Sequence, residues 1–118
     1  MAGELTIRIQ ASYSKNGAKW SRTIDKAVDV SGTAVQHAVQ SVGTSEETLA
    51  LGDVLPSGYA IFYNLDAANY VELGKATGSY SLKLKAGEAA LVRLDSWPSI
   101  FAKADTAAID LEYWLLPD

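Results

Sequence analysis

The chain has 118 residues, a length at which one domain can bury a core without disulfides or a metal. Hydrophobic residues make up 48% and charged residues 20%, which excludes both a disordered chain and a helical membrane protein. The net charge of −4 argues against non-specific binding to nucleic acid, which depends on basic groups. No run approaches the roughly 20 apolar residues of a spanning helix, and the first residues enter an alternating pattern directly, so we expect no exported leader and no membrane partner.

The absence of cysteine excludes a disulfide framework, a thiol nucleophile and a cysteine-ligated metal. It is typical of a protein made in a reducing compartment such as a host cytoplasm. The sequence therefore predicts one soluble domain over residues 1–118.

The charge is unevenly distributed along the chain. Residues 1–42 carry five basic and three acidic side chains, a net +2, whereas residues 43–118 carry five basic and eleven acidic side chains, a net −6. Such an asymmetry can orient copies head to tail in an assembly. Ordinary scatter of surface charge is the simpler explanation.

At the start of the chain, apolar residues recur at every second position. Apolar and polar residues alternate from Leu5 to Tyr13, which predicts a half-buried antiparallel strand. Asn16 and Gly17 tolerate positive φ and predict a tight hairpin turn, with a partner strand that starts near Trp20.

The next segment contains a break, a strand and an ambiguous motif. Ser31 and Gly32 interrupt two β-favouring stretches, after which Val35, His37 and Val39 share one face. The motif SEET at residues 45–48 has the form of a helix N-terminus, but the apolar run behind it is too short. We therefore expect a turn and a short strand over residues 48–51, followed by a loop that contains Gly52, Asp53, Pro56, Ser57 and Gly58.

The stretch YAIFYNL at residues 59–65 is apolar on both faces, which predicts a central strand covered on both sides. Asp66 and Asn69 can bond nearby backbone amides and stabilise a reversal. Further strands are expected in YVELGKA, SYSLKLK and AALVRLD. The alanine-rich segment at residues 101–109 is the best helical candidate, with a short turn as the alternative.

The last strand, AIDLEYWLLPD at residues 108–118, alternates with apolar residues on both faces. One face carries Ile109, Leu111, Tyr113 and Leu115, and the other carries Asp110, Glu112, Trp114 and Leu116. In all, eight or nine short strands with turn signals every 8 to 12 residues predict an all-β, antiparallel β-sandwich, with a jelly roll as one form of it.

Residues suited to catalysis or metal binding are sparse. His37 is the sole histidine, so a two-histidine metal site is excluded, and a Ser-His-Asp relay would have to be built on it. Asp53, Asp66 and Asn69 could supply oxygen ligands for calcium, but turn chemistry explains them more simply. Asp110 and Glu112 share a face at the spacing of any exposed strand. The sequence thus predicts no enzyme, no catalytic or metal residue and no cofactor, with a small hydrolase that uses acidic residues as the least favoured alternative.

The aromatic residues allow three interpretations. The three tryptophans Trp20, Trp97 and Trp114, with the six tyrosines, could form a surface between subunits or a sugar-stacking platform. Core packing explains most of them, and Trp114 is the exception. Strand alternation sends Trp114 away from the core, beside Glu112 and Leu116, and a terminal strand often lies at a sheet edge. We therefore predict an interface that contains Trp97, Glu112, Trp114 and Leu116 in a homo-oligomer, for which a trimer is one form. A carbohydrate-binding module is the alternative function.

Four segments carry a resemblance to a known family. They are VQSVGTSEETLALGD at 39–53, GYAIFYNLDAANYVELG at 58–74, LKAGEAALVRL at 84–94 and AKADTAAIDLEYWLLPD at 102–118. Together they resemble small β-rich structural proteins encoded among the virion genes of tailed bacteriophages. The resemblance implies a subunit present in many copies in the virion, at the head surface, neck or tail, that binds other virion proteins; it transfers no active-site residue.

Overall fold

The computed structural model describes residues 3–54 and 57–117. Pro56, in the predicted loop, and Asp118, at the end of the last strand, lie outside these ranges. The described backbone contains strands, turns and bends but no helix. The ten strands are β1 (Leu5–Lys15), β2 (Ala18–Val28), β3 (Gln36–Val42), β4 (Glu47–Thr48), β5 (Ser57–Asn64), β6 (Val71–Gly74), β7 (Leu82–Leu84), β8 (Ala89–Trp97), β9 (Phe101–Ala104) and β10 (Ile109–Pro117).

The chain forms two compact units, residues 1–31 and residues 32–118. The first unit is an antiparallel hairpin of β1 and β2, each 11 residues long. Asn16 and Gly17 form its turn with φ values of 49° and 86°, as the sequence predicted. The prediction of one domain over residues 1–118 stays a prediction.

The second unit contains two four-stranded antiparallel sheets. One has the strand order β3-β10-β5-β8 and the other β4-β9-β6-β7. Successive strands mostly alternate between the sheets, and this order is the connectivity of an eight-stranded jelly roll. The prediction of an all-β antiparallel sandwich is confirmed.

The core of the second unit lies between the inner faces of the two sheets. Phe62 and Tyr113 from the first sheet, and Val71, Leu73 and Ala102 from the second, are fully buried in one apolar cluster. Strand alternation produces this arrangement because every second side chain of β5 and β10 points inward.

Three expectations are corrected by the structure. The strand β5 is central, but Ile61 and Tyr63 on its outer face are each 39% exposed, so it is covered on one side only. The terminal strand β10 pairs with both β3 and β5 and therefore does not lie at an edge. Residues 101–104 form a strand and residues 105–107 a bend, so the helical alternative is wrong and the turn alternative applies only to residues 105–107.

The short strand expected over residues 48–51 is observed only at Glu47–Thr48, so it begins one residue earlier and ends three residues earlier than predicted. Among the residues described, none belongs to a helix that is long and apolar enough to cross a membrane.

Candidate functional site

The first candidate surface is the outer face of the β3-β10-β5-β8 sheet, called here the outer sheet face. Strand register places directly opposite residues on the same face. One row across the sheet therefore contains His37, Trp114, Ile61 and Leu91. The adjacent row contains Val39, Glu112, Tyr63 and Ala89.

The outer sheet face is apolar and partly open to solvent. Val39 is 54% exposed, and Ile61 and Tyr63 are 39% exposed. Contiguous exposed apolar side chains of this kind mark interaction surfaces in folded proteins.

His37 lies on β3, an edge strand of the outer sheet face, and contacts two residues of β10. Its ring stacks on Trp114, with ring centroids 4.6 Å apart and an angle of 23° between the planes. Its Nε2 lies 3.0 Å from Oε2 of Glu112. The contacts fix the orientation of Trp114 and keep an acidic side chain at the centre of an apolar surface.

The outer sheet face also has a cationic corner. The guanidinium of Arg93 lies over the ring of Tyr59, 5.1 Å from the ring centroid, and the two residues are directly opposite in register. This contact holds Tyr59 in place near the strand end.

The predicted interface residues separate into two groups. Glu112 and Trp114 belong to the outer sheet face as alternation predicted, and Leu116 follows them in β10 at a register shift between Leu115 and Pro117. All three are partly buried. Trp97 lies in the apolar core with 9% of its surface exposed. The structure therefore does not bring Trp97 together with the other three.

The second candidate surface is one face of the β1–β2 hairpin, called here the apolar hairpin face. It contains the cross-strand pairs Ile9–Ile24 and Tyr13–Trp20, and the rings of the second pair stack with centroids 6.2 Å apart. The exposed fractions of these side chains are 44% for Ile9, 38% for Ile24, 45% for Tyr13 and 56% for Trp20.

The opposite face of the hairpin is polar. There Arg8 pairs with Asp25 through Nε and Oδ1, 2.6 Å apart, and both side chains are largely exposed. Such a pair contributes little stability by itself. The hairpin therefore presents two chemically distinct faces.

Asp66, considered above as a calcium ligand, stabilises a turn. Oδ2 of Asp66 accepts hydrogen bonds from the backbone amides of Ala68 and Asn69, at 3.0 and 2.7 Å. These bonds hold the pKa of Asp66 below its usual value. In the described ranges, no three histidine or acidic side chains are grouped so as to hold a metal ion.

Sequence reasoning missed a contact between distant loops. Glu46, read as part of a helix-start motif, accepts hydrogen bonds from the hydroxyl of Tyr80 and, at 2.7 Å, from the amide of Gly78. The bond from Tyr80 is the main cause that lowers the pKa of Glu46, and the pKa of Tyr80 rises to about 12 through desolvation and this bond. No local signal connects residues more than thirty positions apart.

Comparisons of the chain with protein-family models, with curated proteins and with solved structures found no match.

Proposed function

We propose that the chain is a non-enzymatic structural protein of a bacteriophage virion. It is present in multiple copies and binds other capsid or tail subunits, as a decoration or cement protein or as a component of the neck or tail. The observation that carries this proposal is the extent of exposed apolar surface, on the hairpin and on the outer sheet face. A protein that works by contact with other subunits needs such surfaces.

The fold supports an assembly role without deciding it. Jelly rolls occur in viral capsid proteins and in lectins, and a fold by itself does not determine function. The resemblance of four segments to small virion proteins favours the first of these classes. The protein would then be made in the host cytoplasm and incorporated into the particle.

The test is the composition of purified particles. Particles are collected from cells that carry the gene in its genomic setting, and the chain is quantified by mass spectrometry against a known capsid protein. We expect many copies per particle, and gold-labelled antibodies should decorate the head, neck or tail. Particles that lack the chain would overturn the proposal.

A carbohydrate-binding module is the second candidate function. The observation that favours it is the set of rings on the outer sheet face, where Trp114, Tyr63 and Tyr59 occupy one side of a sheet. Aromatic rings with a polar edge suit wet interfaces such as sugar surfaces. A glycan array followed by titration of tryptophan fluorescence distinguishes the two functions, since saccharide-specific quenching would favour the module.

The non-enzymatic part of the proposal has its own support. The sequence carries no nucleophile, metal or phosphate motif that would indicate an active site. If a turnover were found in purified protein, its loss in His37→Asn, or in Asp53→Asn with Asp66→Asn, with the fold intact, would revive the hydrolase alternative.

A further inference from the structure

We propose that the apolar hairpin face of one copy of this chain docks on the outer sheet face of a second copy. This inference rests on the proposed function, because it names the partner that the exposed surfaces of an assembly subunit would bind. The contact is heterologous: each copy donates a hairpin to one neighbour and accepts a hairpin from another.

The two surfaces are complementary in charge. The cross-strand pairs on the apolar hairpin face include the cations Lys15, Arg22 and Lys26 and no acidic residue. On the outer sheet face, β10 contributes two acidic side chains, Asp110 and Glu112, whereas β8 contributes one cation, Arg93, so the acids outnumber the cation. Opposite charges across an interface favour the correct pairing and exclude self-pairing of like surfaces.

The same complementarity holds for each unit as a whole. Residues 1–31 carry five basic and three acidic side chains, and residues 32–118 carry five basic and eleven acidic side chains. Hairpin against hairpin, or sandwich against sandwich, would bring like charges together. A hairpin against the sandwich of another copy joins net positive to net negative.

The hairpin is narrower than the sheet. Two paired strands are about 10 Å wide with side chains excluded, and four strands at the usual spacing give a sheet about 19 Å wide. The hairpin strands of 11 residues are longer than β3, β5, β8 and β10, which have 7 to 9 residues, so a docked hairpin can cover the sheet strands over their whole length.

A heterologous contact has a definite consequence for assembly. Because donor and acceptor surfaces differ, a copy that has bound one neighbour still has one free surface, and binding continues until a ring closes or a filament forms. A ring or a lattice with repeated contacts is the arrangement that a virion component needs.

The test uses the full chain and two variants that each damage one surface. Ile9→Thr removes an exposed apolar side chain from the hairpin, and its matched control is Gln10→Thr on the polar face of the same strand. Ile61→Thr removes one from the outer sheet face, and its control is Lys83→Thr on the exposed side of β7. Threonine keeps β-branching at the two isoleucine positions and is favoured in strands at the two control positions, and far-ultraviolet circular dichroism checks that every variant is folded.

Self-association is measured by sedimentation velocity over a range of concentrations. We expect the wild type to form oligomers, and each surface variant to weaken self-association at least tenfold, while both controls behave as the wild type. An equimolar mixture of Ile9→Thr and Ile61→Thr should form a 1:1 dimer. That dimer joins the intact hairpin of one variant to the intact sheet of the other, and it cannot extend because its free surfaces are both damaged.

Three outcomes overturn the inference. They are a wild type that stays monomeric at the highest concentration reached, surface variants that associate as the wild type does, and folded variants whose mixture does not associate. If Ile61→Thr does not fold, Tyr63→Ser replaces it. A monomeric chain that is nevertheless present in purified particles would overturn this contact and leave the proposed function intact. If the chain self-associates as expected but is absent from purified particles, the proposed function is overturned and this contact stands.

Discussion

At the scale of single residues, Asn64 holds the connections at one end of the sandwich. Its side chain is fully buried, and Nδ2 donates to the backbone carbonyls of Asn69, Leu84 and Lys85 at 2.9 to 3.3 Å. Its Oδ1 accepts from the amide of Asp66. One amide side chain therefore joins the end of β5 to two separate loops.

We predict that Asn64→Ala lowers the free energy of unfolding by about 2 kcal/mol or more, because buried carbonyls lose their donor. Asn64→Asp should lower the free energy of unfolding further at neutral pH, because its carboxylate would face those carbonyls. In acid the carboxyl group is protonated, so the difference in stability between Asn64→Asp and Asn64→Ala should shrink. Urea unfolding at two pH values measures this. Equal stability of wild type and Asn64→Ala would contradict the role given to Asn64.

The hydrogen bond from Tyr80 to Glu46 leads to a second prediction at this scale. The pKa of Glu46 is lowered in the folded chain, so this carboxylate contributes stability above its unfolded pKa, and the contribution is lost as the pH falls through its folded pKa. Tyr80→Phe removes the largest cause of the shift. We expect the pKa of Glu46 to rise towards its ordinary value and the variant to lose stability at neutral pH more than in acid.

The measurement is a carboxyl-carbon NMR titration of Glu46 in the wild type and in Tyr80→Phe, with thermal unfolding at each pH. Tyr63→Phe is the matched control, because Tyr63 lies on the outer sheet face. An unchanged pKa of Glu46 in Tyr80→Phe would contradict this prediction and show that the hydrogen bond from the backbone amide of Gly78 is enough to keep the pKa of Glu46 low.

At the scale of elements, the connection between β6 and β7 requires a glycine. A Cβ atom on Gly74 would lie 1.9 Å from the carbonyl oxygen of Ser79. The turn that follows is fixed by a bond from the amide of Ser79 to the carbonyl of Ala76 and by another from Ser81 to Leu73. The backbone therefore approaches Gly74 too closely for any side chain.

We predict that Gly74→Ala destabilises the protein by about 3 kcal/mol, at the upper end of the usual cost of overpacking, because backbone atoms must move. Gly43→Ala is the control, since nothing lies within 4 Å of its Cβ position, and it should change stability by no more than about 0.5 kcal/mol. Chemical denaturation compares the two. If both variants lose equally little stability, the backbone of the β6–β7 turn can move to accommodate the added Cβ atom, and the prediction is wrong.

The turn after β5 shows an element that local sequence predicts well. Asp66 and Asn69 were expected to stabilise a reversal, and the carboxylate of Asp66 bonds the amides of Ala68 and Asn69. The contact needs only residues within three positions of each other, so no long-range packing had to be known.

At the scale of the whole molecule, the strands differ in how many of their backbone groups are protected. The strand β10 is paired on both sides over residues 111–115 and contributes buried side chains to the core. The hairpin strands pair only with each other, and most of their side chains are exposed. Opening of the hairpin should therefore cost less free energy than opening of β10.

Hydrogen exchange followed by mass spectrometry tests this difference. In dilute protein we expect peptides from residues 5–28 to exchange before peptides from residues 109–117, by at least tenfold in rate. In concentrated protein the hairpin peptides should gain protection if copies associate through them. Slow exchange of the hairpin in dilute monomer would contradict the first expectation.

The sequence by itself determined what depends on near neighbours. Alternation assigned the inward and outward faces of β10, including the outward position of Trp114, because a strand sends successive side chains to opposite sides. The Asn16–Gly17 pair predicted the hairpin turn, because few residues accept positive φ. The all-β antiparallel class followed from these signals.

Only the tertiary structure decided which strands are neighbours. The sequence predicted that β10 lies at a sheet edge and that β5 is covered on both faces. In the structure β10 lies between two strands, and one face of β5 is exposed. It also gave no sign that Trp97 is buried or that Tyr80 reaches Glu46. These features depend on pairing between strands that are far apart in the chain, and such pairing depends on how well whole faces pack together, a property that no local segment contains.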